Sequence, residues 1–132
     1  MNILVVDDDP VSRRVLRQIL VAAEPGCTVA EASGGTEAIA LLQNSPTGFD
    51  AAFLDISMPD LDGLELLRRI RTSSTLSELP VVLCTSANDR ATVIKAAAAG
   101  ARHYIVKPPA PAIVADKLRQ IAGAVAVADE VD

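Results

Sequence analysis

The stretch Phe49-Asp50-Ala51-Ala52-Phe53-Leu54-Asp55-Ile56-Ser57-Met58-Pro59 decides how the chain reads. Ala51 to Leu54 is an apolar run of strand length, suited to a strand buried on both faces. Asp55 follows at once. A carboxylate cannot stay in a core without a partner, because burying an unpaired charge costs more than packing returns. Asp55 must therefore emerge where the strand ends, and open α/β sheets bind ligands at the carboxyl ends of their strands. Pro59 and the Asp62-Gly63 pair then turn the chain.

Working outward, the same unit recurs. Asn2 to Val6 is an apolar run ended by Asp7-Asp8-Asp9-Pro10, with Pro10 suited to a first helical turn and Asp9 to its N-cap. Val11, Val15 and Ile19, beside Leu16 and Leu20, predict an amphipathic helix whose other faces carry Arg13, Arg14 and Arg17. Pro25-Gly26 ends it. Cys27 to Ala32 reads as strand two, and Ser33-Gly34-Gly35 turns into a helix over Thr36 to Gln43. A loop with Pro46 and Gly48 leads to the central strand. Asp62 to Glu65 has capping-box spacing, and Leu64, Leu67 and Ile70 line one side of a third helix. After a polar connector, Pro80 to Cys84 reads as strand four, ended by Thr85-Ser86. Asn88 or Asp89 caps an alanine-rich helix that runs to Gly100, a C′ residue, with Ala96 to Ala99 packed closely. His103 to Val106 is strand five, ended by Lys107-Pro108-Pro109. Ile113, Val114, Leu118, Ile121 and Val125 space a last helix, which gives a folded domain over 1–125 and a frayed tail over 126–132. Short buried strands alternating with amphipathic helices predict an α/β domain: a parallel sheet with helices on both faces.

A chain of 132 residues, half of them apolar, fits one globular domain with a substantial core. Its aromatics are only Phe49, Phe53 and Tyr104, so that core is aliphatic. Scarce aromatics and a net charge of −5 argue against direct nucleic-acid binding, which needs a basic face or a stacking platform. Cys27 and Cys84 both fall in predicted strands and read as buried reduced thiols. Asp7 to Asp9 interrupt the apolar start too early for a signal peptide, and no apolar run approaches the ~20 residues of a membrane span. A cytoplasmic location with no membrane contact is expected.

In a parallel sheet all strand ends share one edge. Strand one delivers Asp7 and Asp8 there, strand three Asp55, strand four Thr85 and strand five Lys107. Two unit charges about 4 Å apart repel by about 4 kcal/mol at an effective dielectric of about 20. One lysine offsets part of the repulsion among three carboxylates, and a divalent cation offsets more. Oxygen donors suit a hard ion such as Mg²⁺, which favours phosphate as a co-ligand. There is no histidine cluster or cysteine pair for zinc, no Walker lysine motif, and the Gly34-Gly35 pair lacks a dinucleotide fingerprint. An aspartate can itself accept a phosphoryl group as a nucleophile.

With these motifs in view, the chain resembles the receiver domain of two-component response regulators, of the chemotaxis type. The resemblance covers about Asn2 to Val125. It rests on the order and spacing of Val5-Val6-Asp7-Asp8, Leu54-Asp55-Ile56-Ser57-Met58-Pro59, Asp62-Gly63, Thr85-Ser86, Gly100-Ala101 and Lys107-Pro108. It implies a flavodoxin-like (βα)5 fold with sheet order 2-1-3-4-5. It implies that Asp55 accepts phosphate from a histidine kinase or phosphotransfer protein, and that Asp7, Asp8, Asp55 and the Ser57 carbonyl hold Mg²⁺. Lys107 and Thr85 would bind the phosphoryl group, Tyr104 would swing inward as Thr85 moves, and the Lys107-Pro108 bond would be cis. Ser86, Ala87 and Pro108 would be secondary members of the site. The output would be the face of helix four, strand five and helix five, read by a downstream protein or by an output domain that this chain does not carry. A phosphorylation-dependent homodimer is among the assemblies the family uses. The chain would promote its own phosphorylation and dephosphorylation without being a turnover enzyme. Small residues at Ser57 and Ala87 imply room for an attacking water and a labile phosphate. One departure stands out: Pro109 replaces the large apolar residue that often follows Lys-Pro in the family.

A competing class is a haloacid-dehalogenase-like phosphatase, with Asp7 as nucleophile and Asp9 as acid/base. Pro10 opens a helix too soon for that family's flap, no acidic pair follows Lys107, and Asp55 would have no role. A docking module with a degenerate site is a third class, opposed by the intact acidic set.

Overall fold

The computed structural model of the chain describes residues 1–45, 48–86 and 90–131, with side chains described as far as residue 123. Strands and helices alternate: β1 (Asn2–Val6), α1 (Pro10–Ala23), β2 (Thr28–Ala32), α2 (Gly35–Asn44), β3 (Ala51–Asp55), α3 (Gly63–Thr72), β4 (Val81–Thr85), α4 (Arg90–Ala98), β5 (His103–Val106) and α5 (Pro111–Val131). All neighbouring strands pair in parallel, in the order β2-β1-β3-β4-β5. This is the parallel βα arrangement that the sequence pattern implies, in the flavodoxin-like (βα)5 strand order that the resemblance implies.

Side-chain alternation along the strands divides the core in two. Ile3, Val5, Ala51 and Phe53 face α1 and α5, where they meet Leu16, Leu20, Val114, Leu118 and Ile121. Leu4, Val6, Ala52 and Leu54 face the other side and meet Leu42, Leu66, Leu67 and Ile70 of α2 and α3, with Ala96 of α4. β3 and β4 are buried at every position, as central strands covered on both faces must be.

The helix starts follow local rules. Pro10 opens α1, and the Asp9 carboxylate accepts the Val11 N–H at 3.1 Å. Asp62 caps α3 by accepting the Glu65 N–H at 2.8 Å, while Glu65 turns outward to Arg68 and Arg69. At its other end Arg71 donates to the carbonyls of Gly100, Ser77 and Leu79, pinning the polar connector before β4 and the turn after α4.

Several details depart from the expected boundaries. In α1 the buried stripe is Leu16 and Leu20, whereas Val11 and Val15 are 68% and 41% exposed. The helix is rolled so that its longer side chains reach Ile3 and Val5, and Arg13 and Arg17 meet Glu31 of β2. Cys27 lies before β2, with its N–H on the Glu24 carbonyl, and is half-buried; Cys84 is a buried strand residue. α5 continues through residues 126–131, which carry no glycine or proline to stop it. Ala87, the caps Asn88 or Asp89, and Pro46 lie outside the described residues. Among the described residues no helix is long and apolar enough to cross a membrane.

Gly63 marks the closest approach in the fold. A β-carbon there would strike the Asp55 carbonyl oxygen and come within 2.9 Å of the Ile56 Cα. Gly63→Ala should therefore destabilise the fold by about 2 kcal/mol or more, seen as a lower denaturant midpoint with unchanged slope. Burial pushes the Cys84 thiol up to about 12. Peptide mapping after iodoacetamide treatment at mildly alkaline pH should find Cys84 unmodified in the folded protein and modified once it is unfolded.

Candidate functional site

The parallel strands deliver their terminal residues to one edge. Asp7 and Asp8 follow β1, Asp55 closes β3, Thr85 closes β4 and Lys107 follows β5. The pairing of Asp55 with Cys84 and of Thr85 with Val106 sets the depth at which these groups emerge. Asp7, Asp55 and Thr85 are buried, Lys107 is half-buried and Asp8 is exposed.

Lys107 Nζ lies 2.7 Å from Asp7 Oδ2 and 3.4 Å from Asp55 Oδ2. The ammonium therefore leans toward Asp7, whose other oxygen accepts the Asp9 N–H at 2.9 Å. Asp55 is held more loosely: its Oδ1 accepts the Ser57 N–H at 3.3 Å. The Lys107 backbone is fixed by its N–H on the Thr85 carbonyl at 2.7 Å. Arg13 donates to the Asp7 carbonyl at 2.8 Å.

Burial raises the Asp55 pKa above the ordinary carboxylate range, the Lys107 charge opposes that, and the Asp7 charge adds to it. Burial alone would lower Lys107, but its hydrogen bond to Asp7 and the charges of Asp55 and Asp7 outweigh it and raise the ammonium pKa.

One oxygen each from Asp7, Asp8 and Asp55 lie within 4.8 Å of one another. Three carboxylates whose oxygens share only the Lys107 ammonium among the described side chains carry excess negative charge, and such an all-oxygen donor set suits a hard divalent cation such as Mg²⁺. The residues present therefore fit the ion.

The remaining expected residues take varied positions. Ser57, Ser86 and Pro108 are exposed around the cluster, and the Lys107-Pro108 peptide is cis. Tyr104 is 47% exposed on the edge strand β5. Asp9 is occupied at the helix start, with its carboxylate on the Val11 N–H and the Ser12 hydroxyl. That leaves it poorly placed as the acid/base of a phosphatase. The sequence did not single out Arg13 for the site, because it reaches the cluster through the backbone carbonyl of Asp7. Beneath the cluster, on the α1 and α5 side, is a cavity of about 300 Å³ lined mainly by apolar residues, among them Val15, Phe53, Cys84, Ile105 and Pro109.

A family model for the response regulator receiver domain matches residues 3–119. The chain belongs to that family: it is a receiver domain of a two-component response regulator. Chemotaxis protein CheY of Pseudomonas aeruginosa is 37% identical over 92% of this chain and 95% of that protein. A chemotaxis protein CheY homolog of Campylobacter jejuni is 34% identical over 93% of both. Among solved structures, Vibrio cholerae chemotaxis protein CheY4 matches with a TM-score of 0.81 at 28% identity, over 91% of this chain and 97% of that one. The signal receiver domain of a signal transduction histidine kinase from Syntrophus aciditrophicus matches with a TM-score of 0.83 at 29% identity, over 94% and 91%. The chain is thus a CheY-like receiver domain, a class of signalling switch.

The raised Asp55 pKa carries a stability consequence. The native chain keeps a proton that the unfolded chain has already lost, so stability falls as pH rises from the unfolded carboxyl value through the higher folded one. Asp55→Asn should stabilise the metal-free protein by about 1 kcal/mol near neutral pH. Thermal melts well below pH 3.8, the ordinary carboxyl value, should show the advantage gone.

Proposed function

We propose that Asp55 is the phosphoacceptor of this receiver domain, with a histidine kinase or phosphotransfer protein as donor. The observation that carries the reading is the unequal grip of Lys107. Asp7 is held at 2.7 Å, while Asp55 is left at 3.4 Å with one long backbone hydrogen bond. A carboxylate held so loosely has an oxygen free to attack phosphorus. As the new O–P bond forms, the P–N bond to the donor imidazole breaks, and its electron pair returns to the ring nitrogen, which takes up a proton. Lys107 then follows the added negative charge of about −1.5 to −2.

Asp7, Asp8, Asp55 and the Ser57 carbonyl would hold Mg²⁺, which when bound neutralises charge on the transferring phosphoryl oxygens. Thr85, at the end of β4, would donate its hydroxyl to the phosphoryl group, and Tyr104 would move inward from its exposed position as Thr85 shifts. Ser86 and Pro108 would shape the rim. The exposed Ser57 leaves an approach for water, in line with a labile phosphate and with self-catalysed phosphorylation and dephosphorylation.

The output surface of this reading is α4, β5 and α5. Those elements carry the exposed apolar residues Ile94, Tyr104, Val106 and Ile113, which suit a protein partner or an output domain. A population shift between two arrangements of this surface would transmit the signal, and homodimerisation in the phosphorylated state is one form it would take. The cytoplasm is the proposed site of action.

Incubation with Mg²⁺ and acetyl phosphate should add one phosphoryl group, mapped by mass spectrometry to Asp55 and absent in Asp55→Asn. Modification at Asp7, or turnover of a phosphomonoester, would favour the phosphatase reading instead.

A further inference from the structure

The Gly34-Gly35 pair has no part in the chemistry above, yet its surroundings are specific. α2 begins at Gly35 with Gly34 in the N-cap position, so the helix has no capping side chain of its own. The cap comes from the loop after β3. Asp60 Oδ1 accepts the Gly35 N–H at 3.2 Å and its Oδ2 the Thr36 N–H at 3.1 Å, while Oδ1 also takes the Leu61 N–H at 2.8 Å. These backbone bonds, Thr36 first, lower the Asp60 pKa to about 2.

The glycines are required by space. A β-carbon on Gly34 would lie 2.8 Å from Asp60 Oδ1, and one on Gly35 would lie 2.6 Å from Leu61 Cβ. The pair is a seat cut to receive Asp60 and Leu61.

The loop that docks there is the one that carries Ser57. It leaves and returns beside Asp55: the Ile56 N–H donates to the Cys84 carbonyl at 3.1 Å, and the Gly63 N–H to the Ile56 carbonyl at 2.9 Å. Between those points Met58 enters the core. Among the described residues, the hydrogen bonds that tie residues 58–61 to another element all come from Asp60.

We propose that Asp60 is a positioning residue for the site: by docking the β3–α3 loop on the N-terminus of α2, it fixes the Ser57 backbone beside Asp55. The inference rests on the assignment of Asp55 and the Ser57 carbonyl made above. Asp60 touches no reacting group. It acts through the chain, as the outer partners of metal ligands do. The seat is made from the N-terminus of a helix, whose partial positive charge favours a carboxylate.

Asp60→Ala, Asp60→Asn and Gly34→Ala, which crowds the carboxylate off its seat, separate positioning from plain stability. In the metal-free protein, amide exchange at Gly35 and Thr36 should speed up in Asp60→Ala. Affinity for Mg²⁺, read by competition with Mn²⁺ in electron paramagnetic resonance, should fall on the order of tenfold, the low end of what loss of an outer partner costs. Phosphorylation by acetyl phosphate should need correspondingly more Mg²⁺ and reach nearly the wild-type rate at saturation. Asp60→Asn, which keeps an accepting oxygen, should lie between wild type and Asp60→Ala, and Gly34→Ala should resemble Asp60→Ala. Equal Mg²⁺ affinity in wild type and Asp60→Ala would overturn the inference alone. A wild-type protein that neither binds Mg²⁺ nor is modified at Asp55 would overturn the site assignment with it.

Discussion

One ammonium group, shared unequally between two buried carboxylates, is what the rest of this structure depends on. Lys107 makes it tolerable for Asp7 and Asp55 to sit side by side at the end of a sheet, and its bias toward Asp7 leaves Asp55 poorly compensated. Removing the Asp55 carboxylate would relieve the electrostatics and, on the proposed reading, remove the chemistry. Stability and function therefore pull against each other at this point, as they do where a site must stay short of opposite charge until its ligand arrives.

The fold can be read as the means of assembling that cluster. Parallel pairing aligns the strand ends, and burial of β3 and β4 at every position leaves the polar groups only one way out. Backbone groups do much of the local fixing. The Thr85 carbonyl holds Lys107, Arg13 grips the Asp7 carbonyl, and the return of the loop at Gly63 closes the chain over the Asp55 carbonyl. Such contacts set positions through the backbone and leave the carboxylate oxygens of the cluster unoccupied by them.

Much of this was legible in the sequence because it is local. An apolar run cut off by Asp55, the Asp9-Pro10 start of α1 and the Asp62 cap of α3 each carry their reason within a few residues. The same reasoning placed Asp7, Thr85 and Lys107 on one edge, since parallel strands leave no other arrangement. It failed where two local patterns competed. Val11 and Val15 have the same spacing as Leu16 and Leu20, and only the packing against Ile3 and Val5 chooses between them. Cys27 continues the β-like composition of its neighbours but is held in a turn by the Glu24 carbonyl. The contact of Arg13 with the Asp7 carbonyl and those of Asp60 with the Gly35 and Thr36 N–H groups were hidden for another reason: each ends on a backbone group, and backbone groups leave no mark on residue identity.

The cavity under α1 gives the cluster two unlike sides. Asp8 and Ser57 border water, while Phe53, Cys84 and Ile105 wall the other side with buried groups that offer no freely turning dipoles. Water screens a charge strongly and such a wall does not. A charge at Asp55 is thus screened at once on the solvent side and less so toward the packed residues of β4 and β5. Pro109 lines that cavity too, so the residue after Lys107-Pro108 borders the side on which a charge at the cluster is least screened.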